Sequence, residues 1–191
     1  NDVKYYPNDR KIIFQRNRDM LFDGKVTTNN YIFNGRDFHF NYDTFHLELI
    51  HIDSIEFSVE VTDSITGEKT REKVDNKLSY SKGTLTIDEA NNKSGIKNNP
   101  RYPHFDANHG ASVLFNKSDV LGGVYDTTFR YQIPPFAVDS LSGDMESTLS
   151  FDGEFYSGGV FPNIKEPLEV QGDRGFGFIH EVPEEGYPLY G

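Results

Sequence analysis

Two histidines and an aspartate lie within six residues of one another: His104, Asp106 and His109 form a His-x-Asp-x-x-His pattern. Imidazole and carboxylate together suit Zn, Ni or Fe. The pattern has neither an HExxH context nor the helical periodicity that would bring both histidines to one face. The sequence therefore offers these three residues as metal ligands, for Zn among others, with an ordinary polar loop as the alternative.

Calcium is the second candidate ion, because Asp and Asn are frequent in the predicted turns and Ca²⁺ prefers oxygen ligands. The candidate pairs are Asn116 with Asp119 and Asp139 with Asp144. The sequence contains neither an EF-hand loop nor a nonapeptide calcium repeat. We therefore expect no cofactor, with Ca or Zn as the alternative.

Paired carboxylates on neighbouring strands are the third kind of chemistry to consider, since two of them in a cleft can hydrolyse a glycosidic bond. Alternation places most of these side chains on the solvent face of their strands, and Trp, the usual residue for stacking on sugars, is absent. No GxSxG motif supports serine chemistry. We therefore expect a protein that is not an enzyme. The carboxylates concerned are Glu48, Glu56, Glu60, Glu146, Asp152 and Glu154.

Aromatic side chains suggest two kinds of binding. A row of exposed rings would suit a carbohydrate-binding module, with Tyr125, Tyr131 and Tyr156 as its ligand-binding residues. A groove lined by phenylalanine would suit a lipid carrier. The groove residues would be Phe38, Phe40, Phe45, Phe129 and Phe136.

The elements that must position these residues are predicted to be strands. Phe45, Leu47 and Leu49 alternate with polar residues, and the apolar phase then shifts, which predicts a bulge near Leu49-Ile50. Asn34-Gly35 predicts a tight hairpin turn, and Lys82-Gly83 predicts another between two short strands. Glu56 and Glu60 are predicted to face basic residues across a hairpin. No segment has convincing helical periodicity, so the fold class is all-β with antiparallel strands.

The 191 residues contain no cysteine and 14% aromatic residues, which are enough to build a core despite the net charge of −11. The sequence pI of 4.9 disfavours nucleic-acid binding. No apolar run is long enough to span a membrane. The chain begins at Asn1 with neither Met nor a signal-like segment, which indicates a processed chain or a fragment. Basic residues at 10–18 predict a solvated edge strand over Lys11–Gln15, with a binding patch as the alternative.

An internal repeat organises this single domain of residues 1–191. Phe22–Ile55 and Phe105–Leu141 both open with Phe-Asp, continue through an aromatic-Asn pair and Tyr-Asp-Thr, and close with Asp-Ser. The units are predicted at residues 20–62 and 105–145, with a third partial unit from 151 and a long loop at 88–104. Two such units would stack as an elongated, solenoid-like repeat or form a β-sandwich.

Several segments resemble very long, uncharacterised cell-envelope proteins of Bacteroidetes-type bacteria. The resemblance rests on Ser157–Pro162, Gly186–Gly191, Asn91–Gly95 and the FDG and DSL elements, and it covers most of residues 20–191. It implies export, a location in the periplasm or on the surface of a Gram-negative bacterium, and a chain that continues beyond Gly191. It carries over no catalytic residue. We therefore expect a non-catalytic structural or interaction segment whose partners are other segments of the same long chain or other envelope proteins, with glycan and lipid as alternative ligands.

Overall fold

The computed structural model describes residues 3–62, 65–115, 126–143 and 149–188, and within these ranges the fold is all-β, as predicted. The only helical element there is one 3₁₀ turn, Asn8–Arg10. The strands are β1 Lys4–Pro7, β2 Ile13–Phe14, β3 Met20–Thr27, β4 Tyr31–Asn41, β5 His46–Thr62, β6 Lys69–Lys73, β7 Leu78–Thr86, β8 His104–Ala107, β9 Ala111–Leu114, β10 Phe129–Ile133, β11 Phe136–Val138, β12 Ser150–Phe151, β13 Glu154–Ser157, β14 Leu168–Val170 and β15 Phe176–Gly177.

Twelve strands form one antiparallel sheet whose main path runs β1-β3-β4-β5-β7-β9-β10-β13. Four shorter strands pair off this path: β2 with β3, β6 with β5, and β8 with both β7 and β11. A separate sheet has the order β12-β14-β15. The large sheet is not closed into a barrel, which fits a sandwich-like all-β fold. No helix in the described part of the chain is long and apolar enough to cross a membrane.

Strand β5 is the longest element and carries the predicted bulge. Its register against β7 shifts between Leu49 and Ile52. Leu47 and Leu49 are buried before the shift, and Ile52 and Ile55 are buried after it. The extra residue before Ile52 returns that side chain to the core face, and a second register shift, against β4 between Ile52 and Ser54, does the same for Ile55. The apolar phase of the sequence changes there for this reason.

Two predicted turns are wrong, and for the same reason. Gly35 lies inside β4 and Gly83 lies inside β7. A Cβ on Gly35 would stand 2.0 Å from the His51 carbonyl oxygen, and one on Gly83 would stand 2.2 Å from the Asp106 carbonyl oxygen. Each glycine therefore permits a close approach of neighbouring backbone within a sheet rather than a chain reversal. The sequence also predicts a turn at Leu121-Gly122-Gly123, the counterpart of Asn34-Gly35 in the second unit, and these three residues lie outside the described ranges.

Aromatic rings join the two predicted units in one core. The Phe33 ring of β4 packs on the Phe105 ring of β8, with centroids 4.8 Å apart. Phe57 of β5 packs on Phe151 and Phe176, which belong to the small sheet. The small sheet therefore covers part of the large one.

A second connection joins the β3–β4 turn to the segment after β11. Thr28 Oγ1 donates to the Leu141 carbonyl at 3.1 Å, Asn29 Nδ2 to the next carbonyl at 3.1 Å, and Asn30 Nδ2 to the Gly143 carbonyl at 2.6 Å. Three consecutive side chains thus bind three consecutive carbonyls across 113 residues of sequence. The division of the chain into repeat units stays a prediction. Residues 87–103, the region of the predicted long loop, contain no strand.

Candidate functional site

His104 lies at the start of β8 and is buried, with 7% of its surface exposed. Its Nδ1 contacts Asp139 Oδ1 at short range, and its Nε2 lies 2.8 Å from Asp106 Oδ2. An ionised carboxylate can only accept, so both contacts are hydrogen bonds only when the imidazole carries both protons. In that state neither ring nitrogen has a lone pair for a metal.

Asp139 connects this histidine to the long loop. Its Oδ1 also accepts from Arg101 Nε at 3.2 Å. Burial acts to raise the pKa of Asp139, but the hydrogen bonds and charges of His104 and Arg101 outweigh it and hold that pKa below its usual value. The cluster therefore fastens the loop before β8 to the segment after β11.

The predicted metal ligands are partly brought together. His104 and Asp106 are in contact, whereas His109 lies exposed in the turn after β8. Among the described residues, no group of three or more His, Asp or Glu side chains is arranged to hold a metal ion. A Zn site on His104, Asp106 and His109 stays a prediction. Of the calcium candidates, Asn116, Asp119 and Asp144 lie outside the described residues.

The predicted row of exposed tyrosines is wrong at Tyr131. This residue faces the core from β10 and is fully buried, and its hydroxyl donates to the carbonyls of Phe151 and Glu166. Burial raises the pKa of the Tyr131 phenol to about 12. Sequence alternation alone could not decide which face of β10 would be covered, because the small sheet comes from distant residues.

Tyr156 is half-buried on the opposite face of the sheet from Tyr131. Its cross-strand neighbour, on the same face, is Arg130, whose guanidinium carbon is 5.2 Å from the centroid of the Tyr156 ring. Its hydroxyl donates to Glu154 at 2.7 Å, and this bond raises the pKa of the phenol. Tyr125 lies outside the described residues. Tyr131 and Tyr156 therefore do not form one stacking surface.

The five candidate groove phenylalanines lie in separate ring clusters. Phe38 is fully buried against Phe22 in the core. Phe40 packs on Phe45 at 6.0 Å. Phe129 packs on Phe115 and Phe155, and Phe136 packs on Phe105 and Phe151. The described residues do not gather these rings around one groove.

The candidate carboxylates are engaged in ion pairs and hydrogen bonds. Glu56 binds Lys73 at 2.5 Å and Lys77 at 2.6 Å, and Glu60 binds Lys69 at 2.6 Å, as the predicted cross-strand pairing requires. Burial acts to raise the pKa of Glu56, but the two lysines outweigh it and lower that pKa. The remaining described carboxylates have other surroundings: Glu48 contacts His39 and His46, Glu154 accepts from Tyr156, and Asp152 is exposed. Glu146 lies outside the described residues.

Four exposed apolar or aromatic side chains come together at the N-terminal edge of the large sheet, which we define as β1 and β2. Both strands pair with β3, and β1 ends the main strand path. Ile13 is 65% exposed and Phe14 is 70% exposed. These two neighbours point to opposite faces of a two-residue strand, so β2 is uncovered on both faces. Tyr5 and Tyr6 of β1 are also exposed.

Basic side chains surround β2. Arg10, Lys11 and Arg16 are exposed, and within the described ranges none of them has an ion-pair partner. Arg18 is also exposed, but it binds Asp43 at 2.8 Å and lies over the Tyr42 ring. Residues 10–18 around β2 are thus locally positive on a chain whose net charge is −11, whereas three aspartates line the adjoining groove.

A groove of about 750 Å³ adjoins the N-terminal edge. Its apolar walls are Ile13, Leu21, Phe22 and Ile50. The rim is mixed in charge. It consists of Asp9, Lys11, Asp23, Asp37 and His51, with Asn8 beside them.

Asp19 holds the turn that presents β2. This buried residue accepts from the Tyr42 backbone N–H at 2.9 Å and from Asn17 Nδ2 at 2.6 Å, and it contacts His39 Nε2 at 3.2 Å. The backbone hydrogen bond from Tyr42 is the largest cause of the lowered pKa of Asp19. Asp19 thereby ties the β2–β3 connection to the β4–β5 turn.

Sequence reasoning placed an edge strand here but gave its apolar residues no role. The run Ile12-Ile13-Phe14 between basic residues was the available signal, because a solvated protective edge has no need of two adjacent large apolar side chains. Comparison with known proteins adds no candidate: no protein-family model, no curated protein and no solved structure matches the chain.

Proposed function

We propose that this chain is a non-catalytic interaction segment whose N-terminal edge accepts an extended segment of another protein as an added strand. The observation that carries the proposal is the exposure of Ile13 and Phe14 on a sheet edge whose strands pair on one side. In strand addition, backbone hydrogen bonds supply affinity and pockets for alternate side chains supply specificity.

The chemistry of the edge favours a partner that combines apolar and acidic side chains. An apolar side chain would enter the groove beside Ile13, while carboxylates would meet Arg10, Lys11 and Arg16. Surface charge of this kind speeds association and selects partners more than it adds affinity. Binding should therefore weaken as salt rises, since the Debye length falls from about 10 Å at 0.1 M to about 3 Å at 1 M.

A peptide of twelve residues that alternates Val and Glu is a direct probe of the edge. We expect fluorescence anisotropy to detect binding of the labelled peptide, and a Val-Lys peptide to bind at least about tenfold more weakly. The double variant Ile13→Asp/Phe14→Asp should lose binding. Ile96→Asp, which changes an isoleucine that is 87% exposed in the 88–104 region, is the control and should bind normally.

Equal binding of the Val-Glu peptide by the edge variant and by the wild type would contradict the proposal. So would equal binding of the Val-Glu and Val-Lys peptides. Circular dichroism of each variant checks that a loss of binding does not reflect unfolding.

The proposed setting is a large exported cell-envelope protein, for which the segment resemblance is the support. Partners there would be other segments of the same long chain. The parent reading frame tests this: further FD…YDT…DS units should flank the present chain, and a frame that ends at Gly191 would contradict the array.

A further inference from the structure

The segment after β15 displays apolar and acidic side chains together. The described residues 178–188 form no strand. Ile179 is 84% exposed and Val182 is 57% exposed. Glu181, Glu184 and Glu185 between and beyond them are exposed as well. We call residues 179–185 the C-terminal tail. It has the side-chain chemistry that the N-terminal edge requires.

Contacts on both flanks hold the tail in place. The Phe178 ring packs on Tyr131 at 6.2 Å and on Phe155 at 5.3 Å. His180 Nδ1 lies 2.8 Å from Glu166 and its Nε2 lies 2.7 Å from the Tyr187 hydroxyl. These contacts leave Ile179 and residues 181–185 directed outward. The tail is therefore partly ordered before it binds, which lowers the entropy lost when it is ordered on a partner.

The tail and the N-terminal edge belong to opposite ends of the large sheet. The rings that anchor Phe178 come from β10 and β13, which close the main strand path, whereas β1 opens it. Six strand intervals separate β1 from β10 in that order. At about 4.8 Å each, they span roughly 29 Å along the sheet. The anchored tail and the basic edge thus lie at different ends of the strand path, and the exposed side chains of the tail are open to a partner molecule.

We propose that the tail of one copy of this chain occupies the N-terminal edge of a second copy, in a head-to-tail contact. This inference rests on the proposed function and names its partner. Three carboxylates of the tail would meet Arg10, Lys11 and Arg16, and Ile179 or Val182 would cover Ile13 and Phe14. The two surfaces differ, so the contact is heterologous and builds either a closed ring or an open chain of copies.

Charge reversal on each surface tests the contact. The edge variant carries Arg10→Glu, Lys11→Glu and Arg16→Glu, and the tail variant carries Glu181→Lys, Glu184→Lys and Glu185→Lys. All six side chains are exposed, so both variants should keep the wild-type circular dichroism spectrum. Arg18 is left unchanged because it already binds Asp43.

Sedimentation velocity at low salt gives the readout. The wild type should self-associate with rising concentration, and each variant alone should self-associate at least about tenfold more weakly, because like charges then meet. An equimolar mixture of the two variants should regain association, since the basic tail fits the acidic edge and the acidic tail fits the basic edge. Wild-type chains that stay monomeric, variants that associate as the wild type does, or a mixture that stays monomeric would each overturn the inference.

The Val-Glu peptide separates this failure from failure of the proposed function. If the peptide binds the edge but a peptide of residues 177–188 does not, the edge accepts strands and its partner is not this tail. If neither peptide binds, both proposals fail.

Discussion

The two predicted units place the same residue types at matching positions but give them different partners. Asp53, in the first unit, binds Arg36 at 3.1 Å on an open surface. Its counterpart Asp139 binds Arg101 at 3.2 Å and also the buried His104. The residue before the Phe-Asp pair is the source of the difference: it is Leu21 in the first unit and His104 in the second.

The Tyr-Asp-Thr element shows the same divergence. Asp43 reaches outward to Arg18, whereas Asp126 accepts from the backbone N–H of Thr128 at 2.8 Å and from its hydroxyl at 2.5 Å. The hydroxyl bond is the main cause of the lowered pKa of Asp126. Residues that match in sequence thus occupy corresponding positions in the two units. Their hydrogen-bond and ion-pair partners differ because their surroundings differ.

The largest expected effect compares the aromatic-Asn positions, Phe33 and Phe115. Phe33 is fully buried, whereas Phe115 is half-buried against Phe129 and Phe155. Phe33→Ala should lower the free energy of unfolding by about 3–5 kcal/mol, and Phe115→Ala by about 1–3 kcal/mol. Urea denaturation measures both. Equal losses would mean that the two units are closer equivalents than their packing indicates.

His104 should give the next effect. His104→Ala removes both of its hydrogen bonds to carboxylates, and we expect a loss of about 1–3 kcal/mol in the free energy of unfolding at pH 6. His109→Ala, which alters an exposed histidine five residues away, should change stability by less than about 0.5 kcal/mol. If the two variants were equally stable, His104 would not organise the second unit.

Acid titration sharpens the role of Asp139. Its pKa is lowered in the folded state, so its contribution to stability is present above the unfolded value of about 3.9 and disappears as pH falls through the folded value. Carbon-13 NMR of the carboxyl group should give a midpoint below that of an ordinary aspartate. His104→Gln should move the midpoint upward. If the variant leaves the midpoint unchanged, His104 is not a cause of the lowered pKa of Asp139.

The smallest effect belongs to Asp53. Asp53→Asn breaks an exposed ion pair with Arg36, which double-mutant cycles on similar pairs value at about 0.2–1 kcal/mol. Thermal unfolding in low and high salt should find a small difference that salt reduces further. A loss as large as that of His104→Ala would contradict the contrast between the units.

Sequence patterns predicted the features that arise locally. Alternation predicted the strands, the change of phase predicted the β5 bulge, and the charges on two successive strands predicted the Glu56–Lys73 pair. Long-range packing decided the rest. The Asn-Gly and Lys-Gly pairs at Gly35 and Gly83 are typical of turns, yet each glycine lies inside a strand, close to the backbone of a neighbouring strand. No local sequence signal distinguishes a glycine in a turn from a glycine at such a close approach.

In the candidate sites, too, local sequence identified the residues and long-range packing determined their partners. The histidine cluster was found by composition, but the partner that occupies Nδ1 of His104 is 35 residues away in sequence. The predicted exposure of Tyr131 is wrong because the residues that cover its ring come later in the chain. The exposed edge at Ile13 could be found in the sequence only as an apolar run among charges.

The three bonds from Thr28, Asn29 and Asn30 to carbonyls 113 residues away have a consequence for how the molecule is made. A ribosome that adds about 5–20 residues per second takes several seconds to extend the chain from one side of this connection to the other. During that interval β3 and β4 exist with their turn unclamped and without the Phe105 ring that covers Phe33. The first half is therefore synthesised before the carbonyls that bind its β3–β4 turn and the ring that covers Phe33 are available.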